Sequence, residues 1–480
     1  MSETSVPSPW LIQGGMGVAI SGWRLARAVA RVGQIGVVSG TAIETVFARR
    51  LQDHGVDEEL DGVLKRFPRP DVVDRALERF AARRRRDGAP YRAVPMLRAD
   101  SPRREIELIV LASFVEVALA KAGHSGLVGI NLLTKIQLPT APSLLGAMLG
   151  GVDYVMMGAG VPTHIPGVLD ELSEGRRVTM PLDVEGATSE NPVTSLPFDP
   201  ADYLDGALAR PQFVGIVSGN VLATALVRRS SGEVNGLVVE RPSAGGHTAP
   251  PRGAYSVTDE GEPVYGPRDE VDFAALNALN VPYWIGGGVT RREDVVAAQS
   301  LGARGVQVGT LFAYCSDSGM ENQLRRRILH ESRQGPLRVR TSLRASSTGY
   351  PFKVLDEPGS VAEPEVYAER PRHCDLGYLR ETYLKNDGSL GYRCAAEPLG
   401  QYQRKGGHSP EAPQTACLCN GLLATCGLPQ VRAGGYVEPP LVTSGDCIAA
   451  INEVAAGRDD YCALDVIDWL DPQRVTTVGG

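Results

Sequence analysis

The sequence predicts an α/β fold, a closed TIM-type (β/α)8 barrel with insertions and a cysteine-containing C-terminal extension. Three observations lead there. Short apolar runs recur near residues 11, 36, 130, 154, 215, 237, 283 and 306, eight in all. Segments with the apolar spacing of amphipathic helices lie between them. Several of the runs end in glycine, as at 14–15, 158–160, 286–288 and 309. A strand, a helix and a strand within about 30 residues make a βαβ unit, which requires a parallel sheet.

The elements follow in order. Residues 10–17 (WLIQGGMG) are an apolar strand ending in glycines, residues 22–32 have helical spacing, and residues 34–40 (QIGVVSG) are the second buried strand. The charge-rich stretch 43–88 is too long for a simple crossover and reads as two helices within an insertion at about 43–103. A helix over 104–122 leads into the third strand, which carries Asn131 inside an apolar run. A buried amide must find partners, so Asn131 either satisfies neighbouring backbone or points at a ligand.

Helix 141–149, strand 152–157 and helix 168–174 continue the rhythm. A strand-like stretch at 177–182 and a polar insertion at about 183–211 interrupt it. Strand 213–218, helix 221–229 and strand 234–241 come next, and the last runs into Gly245-Gly246-His247. The loop that follows extends to residue 269, and loops of that length in compact domains are usually functional or disordered. Helix 271–279, strand 281–285, helix 292–301, strand 305–308 and helix 321–330 complete a barrel domain over 1–335. Beyond it, residues 336–480 lose periodicity and show short helices only at 447–456 and 461–470, as an extension packed on the barrel.

Composition narrows the function classes. The 480 residues are 43% hydrophobic and 22% charged with a net charge of -7, a globular composition whose acidic balance argues against nucleic acid. The arginine run at 83–86 reads as a solvated helix end. No stretch approaches the roughly 18 uninterrupted apolar residues of a membrane helix. The start MSETSVPSPW lacks the regions of a signal peptide, so the expected location is the cytoplasm.

Seven of the eight cysteines lie in the last quarter of the chain. In a reducing compartment such clustering suggests metal, reactive thiols or packing before disulfides. Cys374, Cys394, Cys417 and Cys419 can bring four thiols together, a set that suits zinc or iron–sulfur. Their spacing is not the CxxC pair of zinc knuckles, and no metal ligand is assigned.

The chemistry concentrates at strand ends. Glycine-bordered loops at 285–288 (IGGG) and 305–310 (GVQVGT) follow the seventh and eighth strands, where a barrel builds its phosphate site from free N–H groups and a helix N-terminus. Thr310 adds a hydroxyl donor. A phosphate held there places a flavin or another phosphorylated cofactor across the barrel mouth. Gly14, Gly15 and Met16 then lie against its ring, Asn131 hydrogen-bonds its polar edge, and His247 faces it.

The segments IQGGMG, GINLL, AGGHTAPPRG, YWIGGGV and GARGVQVGTLF resemble those of the nitronate monooxygenase family, formerly called 2-nitropropane dioxygenases, and of the related FMN-dependent enoyl reductases. The resemblance covers about residues 8–315. It implies an FMN-binding barrel in which His247 is catalytic near the flavin N5. The cofactor-binding positions it implies are Gly15, Met16, Asn131, Ser218, Gly245, Gly246, Gly287, Gly288, Gly309 and Thr310, beside Gly14. The insertion at 183–211 and the cysteine-rich tail depart from the minimal family pattern, and Gly286–Gly288 replaces a more usual Ala-Gly-Gly.

This reading leads to an FMN-dependent oxidoreductase that converts a nitronate or nitroalkane to a carbonyl compound with O2. His247 handles the proton on carbon, because imidazole titrates near neutral pH. A second reading is NAD(P)H-dependent reduction of an enoyl thioester, and a third is a non-catalytic flavin-binding partner of a biosynthetic complex. The partner expected is a small-molecule substrate, with neither nucleic acid nor membrane. The oligomeric state is not legible.

Overall fold

The computed structural model describes residues 9–188, 194–204, 206–253 and 256–473. The first eight residues lie outside them, as do parts of the 183–211 insertion and of the loop after His247. Eight parallel strands form one sheet: β1 (Leu11–Gln13), β2 (Gly36–Ser39), β3 (Val128–Leu133), β4 (Tyr154–Gly158), β7 (Gln212–Val217), β8 (Gly236–Glu240), β9 (Tyr283–Gly286) and β10 (Gly305–Val308). The intervening β5 (Val178–Pro181) and β6 (Ser195–Phe198) pair antiparallel in a separate hairpin. All eight expected strands are present, in the neighbour order β1-β10-β9-β8-β7-β4-β3-β2.

The two ends of that order meet at a single parallel bridge, Ile12 to Ile35. Gln13 N–H donates to Ile35 O at 2.9 Å and Ile35 N–H to Leu11 O at 3.1 Å. Two glutamine side chains supply what a full ladder would. Gln13 Oε1 accepts from Val37 N–H and Gln34 Oε1 accepts from Leu11 N–H, each at 3.0 Å. Inside the closed sheet Ile12, Ile35, Val37, Tyr154, Met156, Val214, Val238 and Trp284 pack as one buried cluster. The barrel is therefore a filled core and not a pore.

Helices cover the outside: α1 (Trp23–Ala30) after β1, then α2 (Ile43–His54), α3 (Glu58–Leu64) and α4 (Pro70–Phe80) in the first insertion. Three helices stand there instead of the two expected. Gly55, at φ +70°, ends α2, and the Asp57 side chain accepts from Leu60 N–H at 2.8 Å to start α3, so cap chemistry cuts a continuous charged stretch. The arginine run after α4 is not wholly solvated. Arg85 pairs with Asp53 at 2.7 Å and lies over the Tyr91 ring at 4.1 Å.

Helix α5 (Arg103–Ala120) is buried nearly all round and packs on α6 (Thr140–Leu149). Their backbones touch at Gly146, where a Cβ would sit 2.2 Å from Val110 O. The remaining barrel helices are α7 (Ile165–Ser173), α8 (Asn220–Arg229), α9 (Phe273–Asn277), α10 (Arg292–Ser300), α11 (Thr310–Ala313) and α12 (Asn322–Gln334).

The extension holds more structure than the two short helices expected. It contains the hairpin β11 (Val339–Ser342) and β12 (Phe352–Leu355), α13 (Pro364–Glu369), the hairpin β13 (Glu381–Leu384) and β14 (Leu390–Arg393), α14 (Leu399–Arg404), α15 (Leu418–Thr425), α16 (Ile451–Ala455) and α17 (Ala463–Leu470). These elements are too short for periodicity to show. Buried ion pairs help order them, among them Arg370 to Glu438 at 2.9 Å. Leu355, Val442, Ile448, Ile451, Val466 and Leu470 join the same hydrophobic core as the barrel helices. Among the described residues no helix is long and apolar enough to cross a membrane.

Two glycine substitutions separate these packing environments. Gly146→Ala overpacks the α5–α6 contact and should cost about 1–3 kcal/mol. Gly62→Ala, inside α3 with nothing within 4 Å of the added methyl, should gain about 0.5–1 kcal/mol. Thermal unfolding of both variants beside the parent should place their Tm values on opposite sides of it.

Candidate active site

At the C-terminal ends of the barrel strands lies a cavity of about 750 Å3. The sequence-selected residues all line it. Gly14, Gly15 and Met16 enter after β1 and Asn131 from β3; Ser218 follows β7, and Gly245, Gly246 and His247 follow β8. Gly287 and Gly288 come after β9, and Gly309 and Thr310 after β10.

Close backbone approach explains the first glycine loop. A Cβ on Gly15 would lie 2.1 Å from Asn131 Cβ, so only glycine lets β1 and β3 meet there. Asn131 Nδ2 donates to Gly15 O at 3.5 Å, a weak bond, while Asn131 Oδ1 is buried without a partner. Gln307 Oε1, on the same cavity, is also buried and unpartnered. The sequence reading passed over Gln307, although a polar residue inside the apolar GVQVGT run carries the same signal as Asn131.

The glycines after β9 adopt left-handed backbone, with φ +87° at Gly287 and +75° at Gly288. Part of this wall comes from the extension. Gly246 N–H donates to Thr443 Oγ1 at 2.9 Å, and Gly445 N–H donates to Thr310 Oγ1 at 3.0 Å. Thr443, Ser444, Gly445 and Cys447 line the same cavity. The Thr310 hydroxyl, accepting from Gly445, keeps its own proton for donation.

His247 is strapped in place. Its Nε2 lies 2.7 Å from Ser346 Oγ, which lies 2.8 Å from Thr348 Oγ1. Lys353 N–H donates to Gly246 O at 2.9 Å and Thr248 N–H to Pro351 O at 3.0 Å, and Phe352 meets the imidazole edge-on at 4.8 Å. Burial pushes the imidazole down to about 4, so it is neutral at pH 7. That lies below the expectation of a group titrating near neutrality, because burial against Ser346 and Phe352 disfavours the cation.

Two further cavity residues escaped the sequence reading. Glu240 ends β8, and burial raises its carboxyl to about 7. An acid closing the apolar run GLVVE was visible, but nothing in the pattern separates a strand-end surface carboxylate from a cavity one. Arg252 Nη2 donates to Ser218 O at 2.9 Å and Ser218 Oγ at 3.2 Å. Ser218 is thus already engaged by a guanidinium at the cavity wall.

The donor set fits a flavin mononucleotide. Left-handed glycine loops and the Thr310 hydroxyl suit its phosphate. The orphan amide oxygens of Asn131 and Gln307 would accept hydrogen bonds from a heterocycle, and an unmade buried bond costs about 1–3 kcal/mol.

Residues 194–357 match the nitronate monooxygenase family. The match takes in Ser218, Glu240, Gly245 to His247, both later glycine loops and the Ser346–Phe352 strap, but not Gly14 to Met16 or Asn131. A probable nitronate monooxygenase of Bacillus subtilis (strain 168) is 37% identical over 93 residues, 19% of this chain and 25% of that protein. A probable nitronate monooxygenase of Staphylococcus haemolyticus (strain JCSC1435) is 32% identical over 95 residues, 20% of this chain and 25% of that protein. The chain spans about a quarter of the length of these curated relatives. Among solved structures, FabK from Thermotoga maritima aligns over 98% of this chain and 94% of its own, with a TM-score of 0.47 and 15% identity.

The two displaced carboxyl and imidazole groups of this nitronate monooxygenase-like span leave opposite marks on stability. His247, lowered from 6.5 to about 4, contributes stability present above pH 6.5 and lost as pH falls through 4. Glu240, raised from 4.5 to about 7, contributes stability present below pH 4.5 and lost as pH rises through 7. The Tm advantage of Glu240→Gln over the parent should therefore grow from pH 4.5 to 7 and then level, while that of His247→Gln should grow as pH falls from 6.5 to 4.

Proposed function

We propose that this chain is an FMN-dependent oxidoreductase of the cytoplasm that oxidises a nitronate to a carbonyl compound with O2. The observation that carries the reading is the neutral imidazole of His247, held through Ser346 at a glycine-lined cavity, inside the span that matches nitronate monooxygenases. Gly287, Gly288, Gly309 and Thr310 would hold the phosphate, with Gly14, Gly15, Met16, Asn131 and Gln307 beside the ring. Bound FMN supplies the two-electron chemistry and the route to oxygen.

The chain's own groups handle protons. An imidazole depressed to about 4 is a poor base for a C–H bond, so His247 suits a nitronate, which has already lost that proton, better than a neutral nitroalkane. Glu240, at about 7, is the cavity group matched to proton transfer at neutral pH.

A second reading, NAD(P)H-dependent reduction of an enoyl thioester, is favoured by one observation. The cavity walls include Val161, Val221, Leu222, Leu379, Leu418 and Leu422, and Val161 and Val221 are 50% and 84% exposed at its apolar rim. That lining suits an acyl chain more than a small nitronate.

The visible spectrum of the purified protein should show bound oxidised flavin, and its absence would remove the cofactor. In anaerobic stopped-flow, reduction by a nitronate supports the oxidase, and fast reduction by NADPH alone supports the reductase. His247→Ala should retain FMN and lose roughly 10- to 100-fold in kcat/KM, through the lost hydrogen bond to the anionic nitronate. Full turnover in that variant would take His247 out of the chemistry.

A further inference from the structure

Away from the large cavity, three segments of the extension converge on a small one of about 10 Å3. Cys374 follows α13, Cys394 follows β14, Cys417 precedes α15 and Cys419 lies in its first turn; all four line this space. In that space each pairing of the four thiols brings one sulfur close enough to act on the other's charge. All four are free cysteines. Thiols are weak hydrogen-bonding groups, so packing alone gives no reason to gather four from segments this far apart in sequence.

The surroundings carry both signs, with the Asp375 carboxylate on the same cavity wall paired to Arg432 at 3.1 Å. Arg380 acts on Cys374 and Cys394, and Arg370 acts on Cys417. Arg370 is 7% exposed, and its Nη2 is buried without a hydrogen-bond partner. Its Nε pairs with Glu438, which is shared with Arg432. Asn420 Nδ2 points its N–H at Cys417 Sγ, 3.6 Å away. Four thiolates on a divalent ion carry a net double negative charge, which the Arg380 guanidinium and the unpartnered Nη2 of Arg370 would offset.

We infer that Cys374, Cys394, Cys417 and Cys419 form a soft-metal centre, with four thiolates on zinc or on an iron–sulfur core. Binding zinc forms four Zn–S bonds and releases four thiol protons to solvent, with no change of oxidation state. The iron–sulfur form takes iron and inorganic sulfide in addition. Among the described residues no three His, Cys, Asp or Glu groups surround a single ion position as the side chains stand, so loading turns the sulfurs about their Cα–Cβ bonds.

The centre staples the three segments together. Ser347 lines the same small cavity as Cys394 and donates to Leu379 O at 3.4 Å, while its neighbour Ser346 holds His247. Cys419 also lines the large cavity. Metal occupancy would therefore stiffen the strap on His247, although the inference itself does not depend on a flavin or on turnover.

The test is metal and acid-labile sulfide analysis of the full chain, purified anaerobically without chelator or a metal-affinity tag. The expected result is about one zinc per chain, or iron with matching sulfide and a thiolate-to-iron absorbance. Cys374→Ser with Cys394→Ser should lose that metal, while Cys462→Ser keeps it. Should the double variant not fold, chelation of the parent replaces it: Tm should fall and return on adding back zinc, or iron and sulfide. The inference is overturned by a parent that holds no metal and takes none up, by unchanged metal in the folded double variant, or by a Cys374–Cys394 disulfide in the purified protein.

Discussion

The structure depends on closing a sheet at its weakest seam. Strand β1 is three residues long and meets β2 through one bridge, with backbone groups left over on both sides. Gln13 and Gln34 satisfy two of these groups with side-chain oxygens, which lets the barrel close without a longer strand. Closure brings the loop after β1 against β3, where Gly15 touches Asn131.

The same closure explains why the site is polar in so few places. The barrel interior is filled by aliphatic and aromatic side chains, and only atoms at the strand ends reach the cavity. Asn131 and Gln307 keep an unmade acceptor each, which a folded protein tolerates where a ligand completes the bond. His247 and Glu240 are the titrating counterparts, and desolvation moves both toward their neutral forms. A site with neutral acid and base groups is suited to uncharged or singly charged organic substrates, and Arg252 is the cation at its wall.

Much of this architecture was legible in the chain. Strands buried on both faces leave apolar runs, and the turns after them need glycine where backbone must pass closely, as at Gly15 and Gly287. Those two signals located all eight strands and the glycine loops of the cavity wall, while Ser218 came only from the resemblance to a known family. The extension was not legible, because its order comes from contacts such as Arg370 with Glu438 and Thr443 with Gly246, which leave no periodic trace. Glu240 and Arg252 were hidden for a related reason: charged residues at strand ends and in loops are common on surfaces, and only the fold shows which ones face inward. The protonation state of His247 depends on burial beneath Phe352 and Ser346, from a segment a hundred positions away.

Consider finally the wall built by Thr443 to Gly445 against Gly246 and Thr310. All eight strands precede residue 309, so during synthesis the barrel emerges and can close long before this wall leaves the ribosome. The nascent protein then carries an open-sided cradle, which a segment made later completes. Residues 443–445 thus complete the cradle only after every strand of the barrel has been made.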